Sequence, residues 1–181
     1  MIPVKKCPNL DTEYHKHFFI KENFLNVEVC EDLVNYGKQN QIKDVNFTKW
    51  SHKFNVCGLP IDHTIHDLLS NTWEEAIVFF GARINFIEQY SLKSYSFGSY
   101  FGEHTDNYIC VTDKIDRKLT LTVQLSNTND YIAGDVNVMG KILPRNIGDL
   151  IIFPSAYSHK VGRVGKGERW SLVSWAWGPA F

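Results

Sequence analysis

The chain has 181 residues, 44% of them hydrophobic and 14% aromatic, enough apolar material for one ordinary domain and too much for a disordered chain. Nineteen Lys+Arg oppose twenty Asp+Glu for a net charge of -1, a balance that speaks against a protein living mainly on phosphate contacts. No apolar run approaches the roughly 20 residues needed to span a bilayer.

The start of the chain, Met1-Ile-Pro-Val-Lys-Lys-Cys7, has no apolar signal core. Cys7, Cys30, Cys57 and Cys110 are scattered without a Cys-x-x-Cys pair, which fits reduced thiols in a cytoplasm better than a disulfide framework or zinc ribbon. No repeat or Pro/Ser-rich linker divides the chain, so a single domain over 1–181 is expected, with 1–90 mostly helical support and 91–181 a β core. His15-Lys-His17 sits in a charged stretch and reads as surface. From Asn26 to Gln39 the residues Val27, Val29, Cys30, Leu33, Val34 and Tyr36 recur at helical spacing. A polar connection follows, around Lys38 to Pro60. Ile61, Ile65, Leu68, Leu69, Trp73 and Ile77 then predict a longer amphipathic helix. His63 and His66 stand three apart on it with Asp62 nearby. Without a third ligand they read as a solvated helix face rather than a zinc site.

After about Tyr90 the hydrophobic period changes from 3.6 to 2. In Lys118 to Ser126, Leu119, Leu121, Val123 and Leu125 share one face, and Thr120, Thr122 and Gln124 the other. That pattern predicts a half-buried strand whose polar face lines a cavity or meets solvent. Asp149 to Pro154 and Arg169 to Trp177 read as further strands, with glycines between the segments. Short strands at this spacing predict an α+β protein whose β half is a sandwich or barrel of jelly-roll type, with the N-terminal helices packed outside.

His104-Thr-Asp106 carries the first chemistry, because residues i and i+2 of a strand project from one face. His104 and His159 are the histidines after residue 90, so His159 is the candidate third ligand. Two histidines and one carboxylate make the facial set that leaves metal positions open for Fe(II) and oxygen chemistry. Arg169 follows His159 by ten residues across the basic turn Lys160 to Glu168. A short hairpin there would aim its guanidinium into the same cavity, suited to clamping a carboxylate. Lys160, Arg163 and Lys166 fit either a solvated turn or a patch that draws acidic ligands inward. Trp175 shares strand parity with Arg169, Ser171 and Val173 and is a candidate for the cavity wall or for ordinary core.

These elements resemble the Fe(II)/2-oxoglutarate-dependent oxygenases, in their prolyl-4-hydroxylase-like branch. The likeness runs from Tyr95 to Trp177: Tyr95-x-x-Gly98-x-x-Phe101-Gly102-x-His104-x-Asp106, then Arg117 to Ser126, Asp130-Tyr131-x-Ala133-Gly134-Asp135, Gly148 to Ser155, His159-x-Val161, Gly167-x-Arg169 and Trp175. The resemblance implies a double-stranded β-helix, with His104, Asp106 and His159 as iron ligands. Arg169 would hold the distal carboxylate of 2-oxoglutarate, with Tyr95 as its hydrogen-bonding companion. The family converts O2 and 2-oxoglutarate to succinate and CO2 while hydroxylating a substrate C–H, and ascorbate is a candidate reductant. The implied substrate is a prolyl residue in a peptide or protein, or a free amino acid. The family's Gly-Gly-Glu reads Ala133-Gly134-Asp135 here, and the segment 107–117 is expected to form a lid or substrate loop. The presence of Asp106 argues against the related halogenases. Trp175, where nucleic-acid dealkylating relatives carry a second Arg, argues against nucleic acid as a substrate. The competing expectation is a non-catalytic jelly-roll module that binds a ligand in the same cavity.

Overall fold

The computed structural model describes residues 17–40, 42–45, 52–107, 112 and 114–180. Cys7, His15, Cys110 and most of the expected lid (108–111 and Asp113) lie outside the described residues. In chain order the elements are β1 (Phe19–Lys21), α1 (Val27–Asn40), β2 (Ile42–Val45), β3 (His52–Gly58), α2 (Ile65–Phe80), β4 (Phe86–Ile87), β5 (Ser91–Tyr95), β6 (Tyr100–His104) and β7 (Ile115–Gln124). There follow β8 (Tyr131–Ala133), β9 (Val136–Val138), β10 (Lys141–Ile142), β11 (Leu150–Pro154), β12 (His159–Val161), β13 (Val164–Gly167) and β14 (Arg169–Pro179). None of the described helices is long and apolar enough to cross a membrane.

One curved sheet runs β1-β11-β7-β14-β5-β3, and a second runs β6-β12-β9-β10. The long strand β3 joins them: Asn55 to Gly58 pair with β5, and His52 and Lys53 with β6. All these pairings are antiparallel, giving the double-stranded β-helix expected, with β8 and β13 as a small flanking pair. Sequence reading missed β3, which falls within the expected polar connection. Phe54 and Val56 face the cavity side and Cys57 the core, interleaved with Lys53 and Asn55, so neither face carries enough apolar residues to show a period.

The helices cover the outer face of the larger sheet. Asn26 caps α1, its Oδ1 accepting the Val29 N–H at 2.9 Å. Gly37 lets this helix approach the sheet closely, since a Cβ there would meet Trp170. The second helix starts at Ile65 rather than Ile61, because the His63 ring accepts the Ile65 N–H and closes the preceding turn; Ile61 is left 80% exposed. Leu33, Leu69, Trp73 and Ala76 of the helices meet Leu92, Leu121, Val123, Leu150 and Leu172 of the sheet in one buried core.

β7 departs from the half-buried strand expected. Leu119, Leu121 and Val123 enter that core, yet Thr120, Thr122 and Gln124 are buried too. Their polar face looks into the space between the two sheets, not into bulk water. The functional site lies in that space.

Candidate active site

His104 ends β6 and His159 begins β12, and the two residues are direct partners across the antiparallel pair. Their ring centroids lie 4.2 Å apart, with Phe101 stacked on His104 and Phe153 edge-on to His159. Asp106 lies just past the strand, in a loop whose backbone is fastened down: the N–H groups of Asp106 and Asn107 both donate to the Ser155 carbonyl. The Thr120 hydroxyl donates to Asp106 Oδ2 at 2.9 Å and contacts the Ser155 hydroxyl. A face-sharing strand pair thus becomes a pinned loop carboxylate.

Ligand atoms of His104, Asp106 and His159 all lie within 4.8 Å of one another. The Nε2 atoms of His104 and His159 stand 3.4 and 3.3 Å from the two Asp106 oxygens. Each Nδ1 is within hydrogen-bonding distance of a backbone carbonyl, Gly102 for His104 and Tyr157 for His159. A carbonyl only accepts, so each Nδ1 is protonated, and both Nε2 atoms are directed at the common point beside Asp106, protonated when they bond its carboxylate and free to ligate once a metal displaces that proton. Burial alone would raise the Asp106 carboxyl. The hydrogen bonds from both histidines and the charges of His159 and Lys93 outweigh it and hold the group well below the usual carboxylate range.

At the other end of the cavity lies Arg169, at the start of β14 and in register with Tyr95 of β5. Arg169 is 3% exposed and its guanidinium lies over the Tyr95 ring, with the Ser171 and Tyr131 hydroxyls beside it. Gln124 in turn donates to Tyr131. No carboxylate among the described residues forms an ion pair with Arg169. Desolvation draws its pKa down and pushes the Tyr95 phenol up, as burial of each charged form requires. A dry, fully formed guanidinium without a counter-ion is costly unless an anion enters.

The short hairpin expected between His159 and Arg169 is not how the chain returns. Residues 164–167 leave β12 to pair with β8, and β14 then runs in the opposite sheet. Arg169 therefore faces His159 across the cavity instead of along one hairpin. Gly134, beside this crossing, has φ 74, and an added Cβ would lie 2.8 Å from Val164. Ala133, where the family carries glycine, holds φ 60, a left-handed conformation that disfavours a side chain.

The cavity walls include Thr120, Thr122, Phe153, Val161, Ser171 and Val173. Trp175, the next residue of that parity, lies just beyond, between Arg117 at 3.9 Å and Lys93 at 4.9 Å from its ring. Arg117 is itself held by two bonds to Glu88. Sequence reading missed Lys93 altogether. The signal was its parity: two residues before Tyr95 on one strand, it had to face the same way. His63 and His66 join no group of three or more metal-binding side chains among the described residues, and bond instead to the Ile65 N–H and the Pro60 carbonyl. In the basic turn, Arg163 is tied to the Gly98 carbonyl and stacks on Tyr100.

A sequence model described as the 2OG-Fe(II) oxygenase superfamily matches residues 90–177, the stretch that holds all of the residues just described around the metal point and Arg169. These residues belong to that superfamily. The matched stretch is similar to PKHD-type hydroxylases. It is 35% identical over 80 residues to a PKHD-type hydroxylase of Prochlorococcus marinus, covering 42% of this chain and 35% of that protein. It is 27% identical over 112 residues to one of Idiomarina loihiensis, covering 60% and 50%. The matched stretch thus spans a third to a half of these relatives. Among solved structures, the viral collagen prolyl hydroxylase of Paramecium Bursaria Chlorella virus-1, bound to 2OG, shares the fold with a TM-score of 0.71 at 18% identity, over 90% of this chain and 96% of that one.

Proposed function

We propose that the protein is an Fe(II)- and 2-oxoglutarate-dependent dioxygenase that hydroxylates a prolyl residue in a peptide or protein, or a free amino acid. The observation that carries this reading is one cavity with two histidines and a carboxylate at one end and a buried arginine without a counter-ion at the other. The donor set suits iron, with three positions left for other ligands. The arginine suits the far carboxylate of a dicarboxylic keto acid. The names of the relatives, PKHD-type hydroxylase and collagen prolyl hydroxylase, favour a prolyl substrate.

In this reading His104 and His159 bind through Nε2, their Nδ1 protons committed to carbonyls. Asp106 binds through its carboxylate, oriented by Thr120. Iron there supplies the redox chemistry by which O2, 2-oxoglutarate and R–H give R–OH, succinate and CO2. Arg169 anchors the co-substrate at its distal end, and Tyr95 lies against that guanidinium as its companion. Phe101, Phe153, Val161 and Val173 give the cavity an apolar wall around the reacting groups. Cys30 and Cys57 are buried free thiols, in keeping with a cytoplasmic protein.

The test is turnover with candidate peptides and amino acids in the presence of ascorbate. The expected result is succinate formed together with a substrate mass gain of one oxygen, abolished by EDTA and restored by Fe(II) but not Zn(II). Succinate formation indifferent to EDTA would overturn the reading.

A further inference from the structure

Lys93 lines the cavity and its charge bears on Asp106, yet the reading above gives it no ligand of its own. It lies on β5 in register with Ser171 and faces the cavity. The side chain is half-buried and its ammonium is flanked by aromatic rings: Nζ is 5.4 Å from the centre of Phe54, 5.5 Å from Phe101 and 4.9 Å from Trp175. Among the described residues it makes no hydrogen bond or ion pair, although an ammonium carries three donors. Desolvation draws its pKa down against the opposing pull of the Asp106 carboxylate. The nearby indole N–H of Trp175 is likewise buried without a partner among the described residues. Arg117, the other cation beside Trp175, is already neutralised by its two bonds to Glu88.

Formal charge gives this isolation a meaning, on the oxygenase reading above. Iron(II) and Arg169 would bring three positive charges, and Asp106 with doubly ionised 2-oxoglutarate three negative ones. Lys93 is left over. Aromatic faces stabilise an ammonium but do not satisfy its N–H donors, so the filled cavity would still be one anion short.

We propose that Lys93 receives a carboxylate of the primary substrate, and that the substrate is therefore an acid ionised at the reacting residue, a free amino acid or a chain-terminal one, rather than a neutral internal residue. Phe101 ties this position to the metal end, because the same ring that flanks Lys93 stacks on His104. A carboxylate held at Lys93 would place the adjoining carbon framework beside the proposed ligands.

The test is calorimetric titration, under argon, of protein loaded with Fe(II) and saturating 2-oxoglutarate. Three probes are used: N-acetyl-L-proline, its neutral amide N-acetyl-L-prolinamide, and free L-proline. The acid is expected to bind about tenfold more tightly than the amide, as for a gained charge-assisted hydrogen bond. In Lys93→Met, which keeps the apolar stem, that preference should fall below about twofold. Comparison of free and acetylated proline tells a free from a terminal residue. Equal binding of acid and amide by the unaltered protein, or binding of neither, overturns the proposal without need of the variant. The visible absorption of the same samples separates the two readings. A preference lost in Lys93→Met without any iron–keto acid band would sink the oxygenase reading and leave the carboxylate site standing. A preference that survives Lys93→Met would sink the site alone.

Discussion

Strand β7 has one face in each of two buried compartments, and the two faces use burial differently. Leu119, Leu121 and Val123 lie under the helices with almost no exposure, where each apolar side chain contributes about 1.5–3 kcal/mol by leaving water. Thr120, Thr122 and Gln124, from the same backbone, face the cavity. Thr120 bonds Asp106 and Ser155, and Gln124 bonds Tyr131, which lies beside Arg169. Such bonds replace bonds to water and add only about 0.5–1.5 kcal/mol each. What they provide is aim. Stability is therefore concentrated on one side of the sheet and chemistry on the other, and substitutions on the two faces should separate cleanly.

The largest expected effect breaks the cavity side. Asp106→Ala or His104→Ala should bring 2-oxoglutarate turnover below detection, while circular dichroism shows an unchanged fold, because the helix-side core is untouched. Leu121→Ala is the converse change. It should lower the unfolding free energy in urea by roughly 2–5 kcal/mol and leave the ligand set of the folded protein able to bind metal. A loss of metal binding by folded Leu121→Ala would break the comparison. Next comes Arg169→Ala, expected to raise the 2-oxoglutarate concentration for half-maximal turnover by about tenfold to a hundredfold, with iron affinity kept. Thr120→Val should cost roughly tenfold in metal affinity, since only the orientation of the carboxylate is lost. The smallest effect sharpens the helix side. Burial pushes the Cys30 thiol up to about 11. At pH 8 iodoacetamide should therefore label the Cys30 peptide only after denaturation, as read by mass spectrometry.

Much of this arrangement was legible in the sequence. Leu119 to Leu125 alternate so regularly that β7 could be placed at once, and the change of period near Tyr90 marked the β half. The convergence of His104, Asp106, His159 and Arg169 in one cavity followed from the order of motifs, although Asp106 reaches it from a loop past β6 rather than by strand parity. The hairpin drawn to bring Arg169 home was wrong, because residues 164–167 pair with β8 and the chain changes sheets. Polarity misled at β7: an alternating polar face was read as half exposed, although a jelly roll encloses a polar interior of its own. β3 was hidden for the opposite reason. Its apolar residues divide between the two compartments, so neither face repeats. Lys93 escaped because a lone lysine in a strand reads as fully solvated, and only the flanking rings of Phe54, Phe101 and Trp175, distant in sequence, show that it turns into the cavity.

The central claim is that three ligands and one distant arginine serve a single metal-bound keto acid. The most direct measurement adds Fe(II) to the metal-free protein under argon, then titrates 2-oxoglutarate while recording the visible spectrum. A saturable charge-transfer band, absent in His159→Ala, is the predicted result. A folded, iron-loaded protein that shows no band at any 2-oxoglutarate concentration would contradict it, and a ligand-binding jelly roll without oxygenase chemistry would then describe the molecule.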